Sequence, residues 1–162
     1  MNLGILGAGR IAVLMADTIR KLNDSGDHTV KLYAVAARDL GRAQTFAMEN
    51  GVERAFGSYE EMLRDPELDF VYIATPHSHH YQQIKLCADH GKHVLCEKAF
   101  TVNARQAQEA LSYARAVSYT HLSQISRIFR ATCFRSSRMP PSWRPRAMFS
   151  AAENTSTSLK CW

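Results

Sequence analysis

The sequence predicts an α/β fold, a doubly wound parallel sheet, on three observations. Short apolar runs alternate with segments of helical spacing from residue 2 to about residue 115. A glycine turn, Gly7-Ala8-Gly9, stands between the first apolar run and the first helical segment. Two further apolar runs end in clusters of polar residues, and ligands of open parallel sheets bind beyond the carboxyl ends of the strands.

Residues 2–6 (NLGIL) read as a buried parallel strand. Ile11, Leu14, Met15, Thr18, Ile19 and Leu22 recur at helical spacing and predict a helix over 10–23. Residues 30–37 (VKLYAVAA) form the second strand, followed by a helix over about 40–50 that Gly51 stops. A short third strand lies near Ala55–Phe56. Ser58 is the N-cap of a helix over 59–64, with Glu61 three residues on to complete a capping box, and Pro66 closes that segment. FVYIA (70–74) is the most strand-like run in the chain. A helix over 78–90 ends at Gly91, HVLCE (93–97) is the next strand, and Asn103 caps a helix through about 115.

The chain has 162 residues, 46% hydrophobic and 22% charged, as in soluble globular proteins. No apolar run reaches about 18 residues, and no basic segment precedes the first one, so neither a membrane span nor a signal peptide is expected and the protein reads as cytoplasmic. Cys87, Cys96, Cys133 and Cys161 have no CxxC spacing and read as reduced thiols rather than as a disulfide framework or a zinc site.

The net charge of +5 is unevenly spread. Up to Ala116 there are 13 basic and 14 acidic residues, and from Val117 on there are 7 and 1. The last 46 residues are rich in Ser, Arg and Thr, with no sustained period of 2 or 3.6. They could be a basic tail that touches nucleic acid or an ordinary surface extension. Arg-, Ser- and Cys-rich text without periodicity is also what a shifted reading frame produces, and this is the reading adopted. Residues 1–116 are expected to be a dinucleotide-binding domain, and 117–162 a non-native or disordered basic tail with no nucleic-acid role.

Gly7-Ala8-Gly9-Arg10-Ile11-Ala12 fits G-x-G-x-x-[GA] in the context that gives this pattern meaning, after a strand and at the start of a helix. Gly7 permits the tight turn, Gly9 lets a pyrophosphate approach the backbone, and Ala12 lets helix and strand pack closely. The helix N-terminus then offers unpaired N–H groups and partial positive charge. The second strand ends in Ala37-Arg38-Asp39, with Arg42 one turn on. A guanidinium at 38 or 42 can pair with a 2′-phosphate, which favours NADP; Asp39 could instead serve NAD or cap the next helix.

After FVYIA comes Thr75-Pro76-His77-Ser78-His79-His80, and after HVLC comes Glu97-Lys98-Ala99. The histidines are open to three readings: a polar helix start, a contact with cofactor or substrate, or metal ligands. With no acidic or thiol partner placed nearby, no metal site is assigned. Lys98 can steer a reacting oxygen and exchange its proton, whereas as a surface ion pair Glu97–Lys98 would contribute little.

On these residues the chain resembles the Gfo/Idh/MocA family of NAD(P)-dependent oxidoreductases. The resemblance covers residues 2–116 and rests on GILGAGRIA, AVAARD, GSYEEML, YIATPHSHHY and GKHVLCEKAFTVNA. AVAARDLGRA and EKAFTVNA look most like the dihydrodiol dehydrogenase-like branch. The resemblance implies a Rossmann domain and hydride transfer between a nicotinamide and a carbon bearing a hydroxyl or carbonyl, often on a sugar. It implies that Ala8, Gly9, Arg10 and Ile11 line the pyrophosphate, and that Arg38 and Arg42 meet the adenosine phosphate. Thr75, Pro76, His77 and His80 would flank the cofactor. Glu97 would approach the nicotinamide ribose, and Lys98, the candidate catalytic residue, both ribose and substrate. Two departures stand out. The usual Glu-Lys-Pro is Glu-Lys-Ala, and nothing in 117–162 resembles the family's second α/β domain, which carries the substrate pocket and the dimer contacts; the sixth strand of the nucleotide domain is also not found.

The expectation is an NADP-preferring oxidoreductase, NAD being possible, of a sugar- or diol-type small molecule. The chain represents its nucleotide-binding domain, truncated before the substrate domain and with little turnover of its own. A homo-oligomer is expected only with that second domain. A non-catalytic dinucleotide-binding sensor or an inactive fragment is the alternative.

Overall fold

The computed structural model describes residues 1–117. The expected tail from Val117 on, Val117 itself apart, lies outside the described residues.

Five strands and five α-helices alternate in the order β1 (Asn2–Leu6), α1 (Arg10–Asp24), β2 (Lys31–Ala36), α2 (Leu40–Asn50), β3 (Arg54–Phe56), α3 (Tyr59–Leu63), β4 (Phe70–Ile73), α4 (His80–Asp89), β5 (His93–Cys96) and α5 (Ala104–Val117). The sheet order is β3-β2-β1-β4-β5 and every pairing is parallel. The chain leaves β1 in one direction to build β2 and β3, then returns to β1's other side for β4 and β5. The point of reversal lies between the carboxyl ends of β1 and β4, where such sheets bind ligands.

Past Asn2 and Lys31 at their starts, the central strands β1, β2 and β4 are buried and mostly apolar, as in parallel sheets covered by helices. Leu3, Ile5 and Leu6 of β1, Val35 of β2 and Val71 and Ile73 of β4 are at most 1% exposed. Met62, Leu63, Leu68, Ile84, Cys87 and Ala110 close one face of the sheet around Val71 and Ile73. The buried Asp65 is paired: the exposed Arg54 at the start of β3 bonds it, and it also accepts from the Tyr33 hydroxyl at 3.0 Å.

Three local expectations are corrected. The large residues whose spacing predicts α1 supply only part of its buried face. Ala12, Ala16 and Ile19 are buried, while Ile11 is 39% and Leu14 59% exposed. Small side chains win the sheet-facing positions because they let the helix axis approach the strands.

The capping box at α3 is half formed. The Glu61 N–H donates to Ser58 Oγ at 3.4 Å, but the Ser58 hydroxyl is turned to Glu60, donating to its Oε2 at 2.8 Å. The reciprocal bond, from the Ser58 N–H to the Glu61 carboxylate, is not formed.

The helix expected from residue 78 begins instead as a 3-10 turn over His77–His79, and α4 starts at His80. Pro76 is extended (φ −60°, ψ 140°), and the next three residues wind tightly onto it, His79 N–H donating to the Pro76 carbonyl at 2.9 Å. Elsewhere the punctuation reads as expected: Asp39 and Asn103 cap α2 and α5, and Gly51 and Gly91 follow α2 and α4 with φ of 67° and 66°.

Candidate functional site: the carboxyl ends of four parallel strands

The ends of β1, β2, β4 and β5 are sewn together by main-chain bonds that continue the ladders outward. Gly7 N–H donates to the Ala36 carbonyl at 2.8 Å, Ala74 N–H to Leu6 at 2.9 Å and Glu97 N–H to Ile73 at 3.2 Å. Four loops that are far apart in sequence therefore open side by side.

The first loop is the glycine turn. Gly7 has φ +99°, and a Cβ there would stand 3.1 Å from Thr75 Cγ2 and 3.2 Å from the Ala74 carbonyl oxygen. Both the backbone and the close approach of the β4 loop exclude a side chain. Gly9 differs: its φ is −113° and a Cβ would meet nothing within 4 Å. It is the N-cap of α1, makes no side-chain capping bond, and is followed by no acidic residue in the first turn. The first N–H groups of a fifteen-residue helix thus face open space with nothing negative beside them. Ala12, completely buried one turn on, sets the helix against the sheet. This arrangement fits a bound phosphate: the donors are present, and an added Cβ at Gly9 would occupy their approach.

Arg38 and Arg42 are exposed beyond β2. Arg42 reaches back, its Nη2 donating to the Ala8 carbonyl at 3.4 Å. Asp39 is committed to α2, its Oδ1 accepting from the Arg42 N–H at 2.8 Å. The Tyr59 hydroxyl, half-buried at the start of α3, feels both guanidinium charges; burial nevertheless holds its phenol above the usual range.

In the β4 loop Thr75 Oγ1 donates to Gln83 Oε1, a buried amide on α4. Pro76 and His77 are exposed. His80 is 1% exposed, with Nε2 2.8 Å from the Thr75 carbonyl oxygen and Nδ1 2.9 Å from that of Ala99. The imidazole thereby bridges the β4 and β5 loops from below. Of the three histidines, His77 and His79 are solvated and His80 is not, so a polar, solvated helix start describes only the first two.

In the β5 loop Glu97 is partly buried and Lys98 exposed. Glu97 Oε1 accepts from the Tyr72 hydroxyl and Oε2 from the Lys98 N–H at 3.1 Å. The Lys98–Ala99 peptide is cis. Among the described residues no three His, Cys, Asp or Glu side chains stand close enough to share a metal ion, and no helix is long and apolar enough to cross a membrane.

The expected residues therefore lie at the carboxyl ends of the strands: Gly7 to Ile11 after β1, Arg38 and Arg42 after β2, Thr75, Pro76 and His77 after β4, and Glu97 and Lys98 after β5, with His80 bonded to the loops after β4 and β5. Tyr72 and Gln83 are the groups that sequence reasoning missed. A phenol in the otherwise aliphatic run FVYI needs a hydrogen-bond partner, and that was the available signal for Tyr72.

Comparison with known proteins agrees with this geometry. The model of the Gfo/Idh/MocA group, described as an oxidoreductase family with an NAD-binding Rossmann fold, matches residues 1–123. The trans-1,2-dihydrobenzene-1,2-diol dehydrogenase of Mus musculus is 43% identical over 129 residues, which are 79% of this chain and 38% of that protein. The crystal structure of an NAD binding oxidoreductase from Klebsiella pneumoniae superposes with a TM-score of 0.69 at 35% identity, over 72% of this chain and 32% of that one. A 3-ketoreductase from Actinomadura kijaniata, solved with TDP-benzene and NADP, gives a TM-score of 0.64 at 26% identity, over 72% and 35% of the two chains. The chain spans about a third of the length of the curated relatives it matches. With the glycine turn, the strand order and the match over residues 1–123 in agreement, the chain belongs to the Gfo/Idh/MocA oxidoreductase family, in its NAD-binding Rossmann part.

Proposed function

We propose that residues 1–116 are the dinucleotide-binding domain of an NAD(P)-dependent oxidoreductase acting on a sugar- or diol-type hydroxyl or carbonyl, with NADP(H) preferred. The observation that carries the reading is the α1 N-terminus. Its N–H groups are uncapped, open at Gly9 and free of acidic neighbours, as a pyrophosphate requires.

The preference for NADP(H) follows from charge. Arg38 and Arg42 stand where the adenosine ribose would lie, and the one nearby acid, Asp39, is already engaged as a helix cap. A 2′-phosphate is matched by guanidinium groups and repelled by a free carboxylate. Ala8, Arg10 and Ile11 offer their backbone along the pyrophosphate. Thr75, Pro76 and His77 bound the nicotinamide half, and His80 holds their loop in place.

When bound, the nicotinamide supplies or accepts the hydride. The chain's part is to hold Glu97 at the adjoining ribose and to put the Lys98 ammonium beside the substrate oxygen, where it can exchange a proton as the C–O bond order changes. The substrate itself is a small molecule. The names of the relatives support this class, being a diol dehydrogenase and a 3-ketoreductase.

The test is calorimetric titration of the whole chain with NADPH and NADH. NADPH is expected to bind at least about tenfold more tightly, one charge-assisted contact being worth about 1.5–3 kcal/mol. Gly9→Ala is expected to abolish binding while leaving the melting temperature unchanged. Failure of the unmodified chain to bind either nucleotide would overturn the proposal.

A further inference from the structure

We infer that Tyr72 is a positioning residue that fixes the Glu97 carboxylate so that its outer lone pairs face a vicinal diol at the carboxyl ends of β4 and β5. The inference rests on the proposed dinucleotide function for the identity of that diol, a cofactor ribose.

Tyr72 lies inside β4, in register with Ile5 of β1 on one side and Leu95 of β5 on the other. It is 4% exposed. A phenol so placed must find a partner for its hydroxyl, and the partner is Glu97 Oε1. The second carboxylate oxygen accepts from the Lys98 N–H at 3.1 Å. An ionised carboxylate has about four acceptor positions. Two are thus occupied by donors of the chain itself, one rigid in the sheet and one in the backbone.

The remaining positions are directed outward, because Glu97 is only partly buried and begins the loop after β5. Two adjacent acceptor positions on one fixed carboxylate are complementary to two adjacent hydroxyl groups. Without the phenol, the Glu97 side chain would keep a single tie and could rotate away from the strand ends. Burial and, after it, the bond to Glu97 both hold the Tyr72 phenol above the usual tyrosine range, so the hydroxyl remains a donor throughout the working range of pH.

Glu97 and Lys98 would touch cofactor and substrate; Tyr72 touches neither and acts through Glu97. A merely structural tyrosine would affect both halves of a dinucleotide alike. A positioning one affects only the nicotinamide half.

The experiment uses the whole chain labelled with carbon-13 at tyrosine Cζ. The six resonances are assigned for Tyr72 by comparison with Tyr72→Phe. Glu97→Gln is expected to move the Tyr72 resonance and leave the other five in place. Tyr72→Phe, with its circular dichroism unchanged, is expected to bind NADPH about tenfold more weakly. It should bind adenosine 2′,5′-bisphosphate, which lacks the second ribose, within about twofold of the unmodified chain. A Tyr72 resonance indifferent to Glu97→Gln would overturn the inference. So would equal weakening for both ligands, or none for either. If the unmodified chain binds neither ligand, the ribose role falls together with the dinucleotide reading. A moved Cζ resonance would then show that the Tyr72–Glu97 pair exists and that the fault lies in the choice of ligand.

Discussion

Arg42 and Ala8 are joined across the carboxyl ends of β2 and β1: the guanidinium Nη2 donates to the Ala8 carbonyl oxygen at 3.4 Å, 34 positions away in sequence. The bond is long and the side chain exposed, so it contributes little to stability. Its importance is directional, since it leans a cation over the glycine turn from the β2 side. Arg42→Ala is expected to weaken NADPH binding about tenfold or more and to change NADH binding less than threefold, one charge-assisted hydrogen bond being the difference. Equal loss for the two cofactors in a fluorescence titration would remove Arg42 from the 2′-phosphate.

Gly7 and Gly9 lie two residues apart and make opposite demands. Alanine at Gly7 must adopt φ near +99° and crowd Thr75 and Ala74. Gly7→Ala is therefore expected to cost about 1–3 kcal/mol in urea denaturation. Gly9→Ala meets nothing and is expected to fall within about 0.5 kcal/mol of the parent. Reversal of this order would show that the turn is not built as described.

His80 bridges the Thr75 and Ala99 carbonyl oxygens from a site that is 1% exposed. Removing the imidazole leaves two carbonyls without that partner and a void beneath the β4 and β5 loops. His80→Ala is expected to destabilise by about 2–4 kcal/mol. Hydrogen exchange should show the loss first as opening of residues 74–80 and 97–100. A stable variant with unchanged exchange would reduce His80 to a spectator.

Two thiols limit stability on the alkaline side. Burial pushes the Cys87 thiol up to about 12 from an ordinary 9.0, and burial with the nearby Glu97 charge pushes Cys96 up to about 12. In the unfolded chain both ionise near 9, so above that pH the unfolded state holds fewer protons than the folded one. The stabilisation is complete below about 9 and is lost as pH rises towards 12. The melting temperature is expected to fall steadily from pH 9 to pH 11, and Cys87→Ala to flatten that slope. At pH 8 the same protonation should make both thiols react with iodoacetamide about a thousandfold more slowly than an exposed cysteine. A melting temperature flat through pH 10.5 would contradict this account.

The sheet was legible in the sequence because its strands are short, apolar and bounded by turn residues, and the glycine turn because Gly7 holds a positive φ that other residues rarely adopt, while Gly9 leaves the helix start open. The packing face of α1 was legible only in part. Periodicity weights large residues, and of the three residues on which the helix is set down it marks Ile19 but not Ala12 and Ala16, whose small side chains let the helix approach the strands. Nor could the sequence tell which of His77, His79 and His80 is buried. That choice depends on the 3-10 turn after Pro76, which alters the angular phase of everything that follows it. Tyr72 was hidden by its own strand: a residue that reads as core has, through one hydroxyl, a second partner 25 positions later.

The strand order has a temporal meaning as well as a spatial one. Of the described strands the earliest to leave the ribosome, β1, is the one that ends in the middle of the sheet. Its first neighbour, β2, begins at residue 31, but the other, β4, begins only at residue 70. At about 5–20 residues per second, the β4 side of β1 waits roughly 3–13 s after Leu6 is made. For that interval Leu3, Ile5 and Leu6 lack one flank, and a nascent chain halted between residues 37 and 69 offers a template strand to any partner that reaches it first.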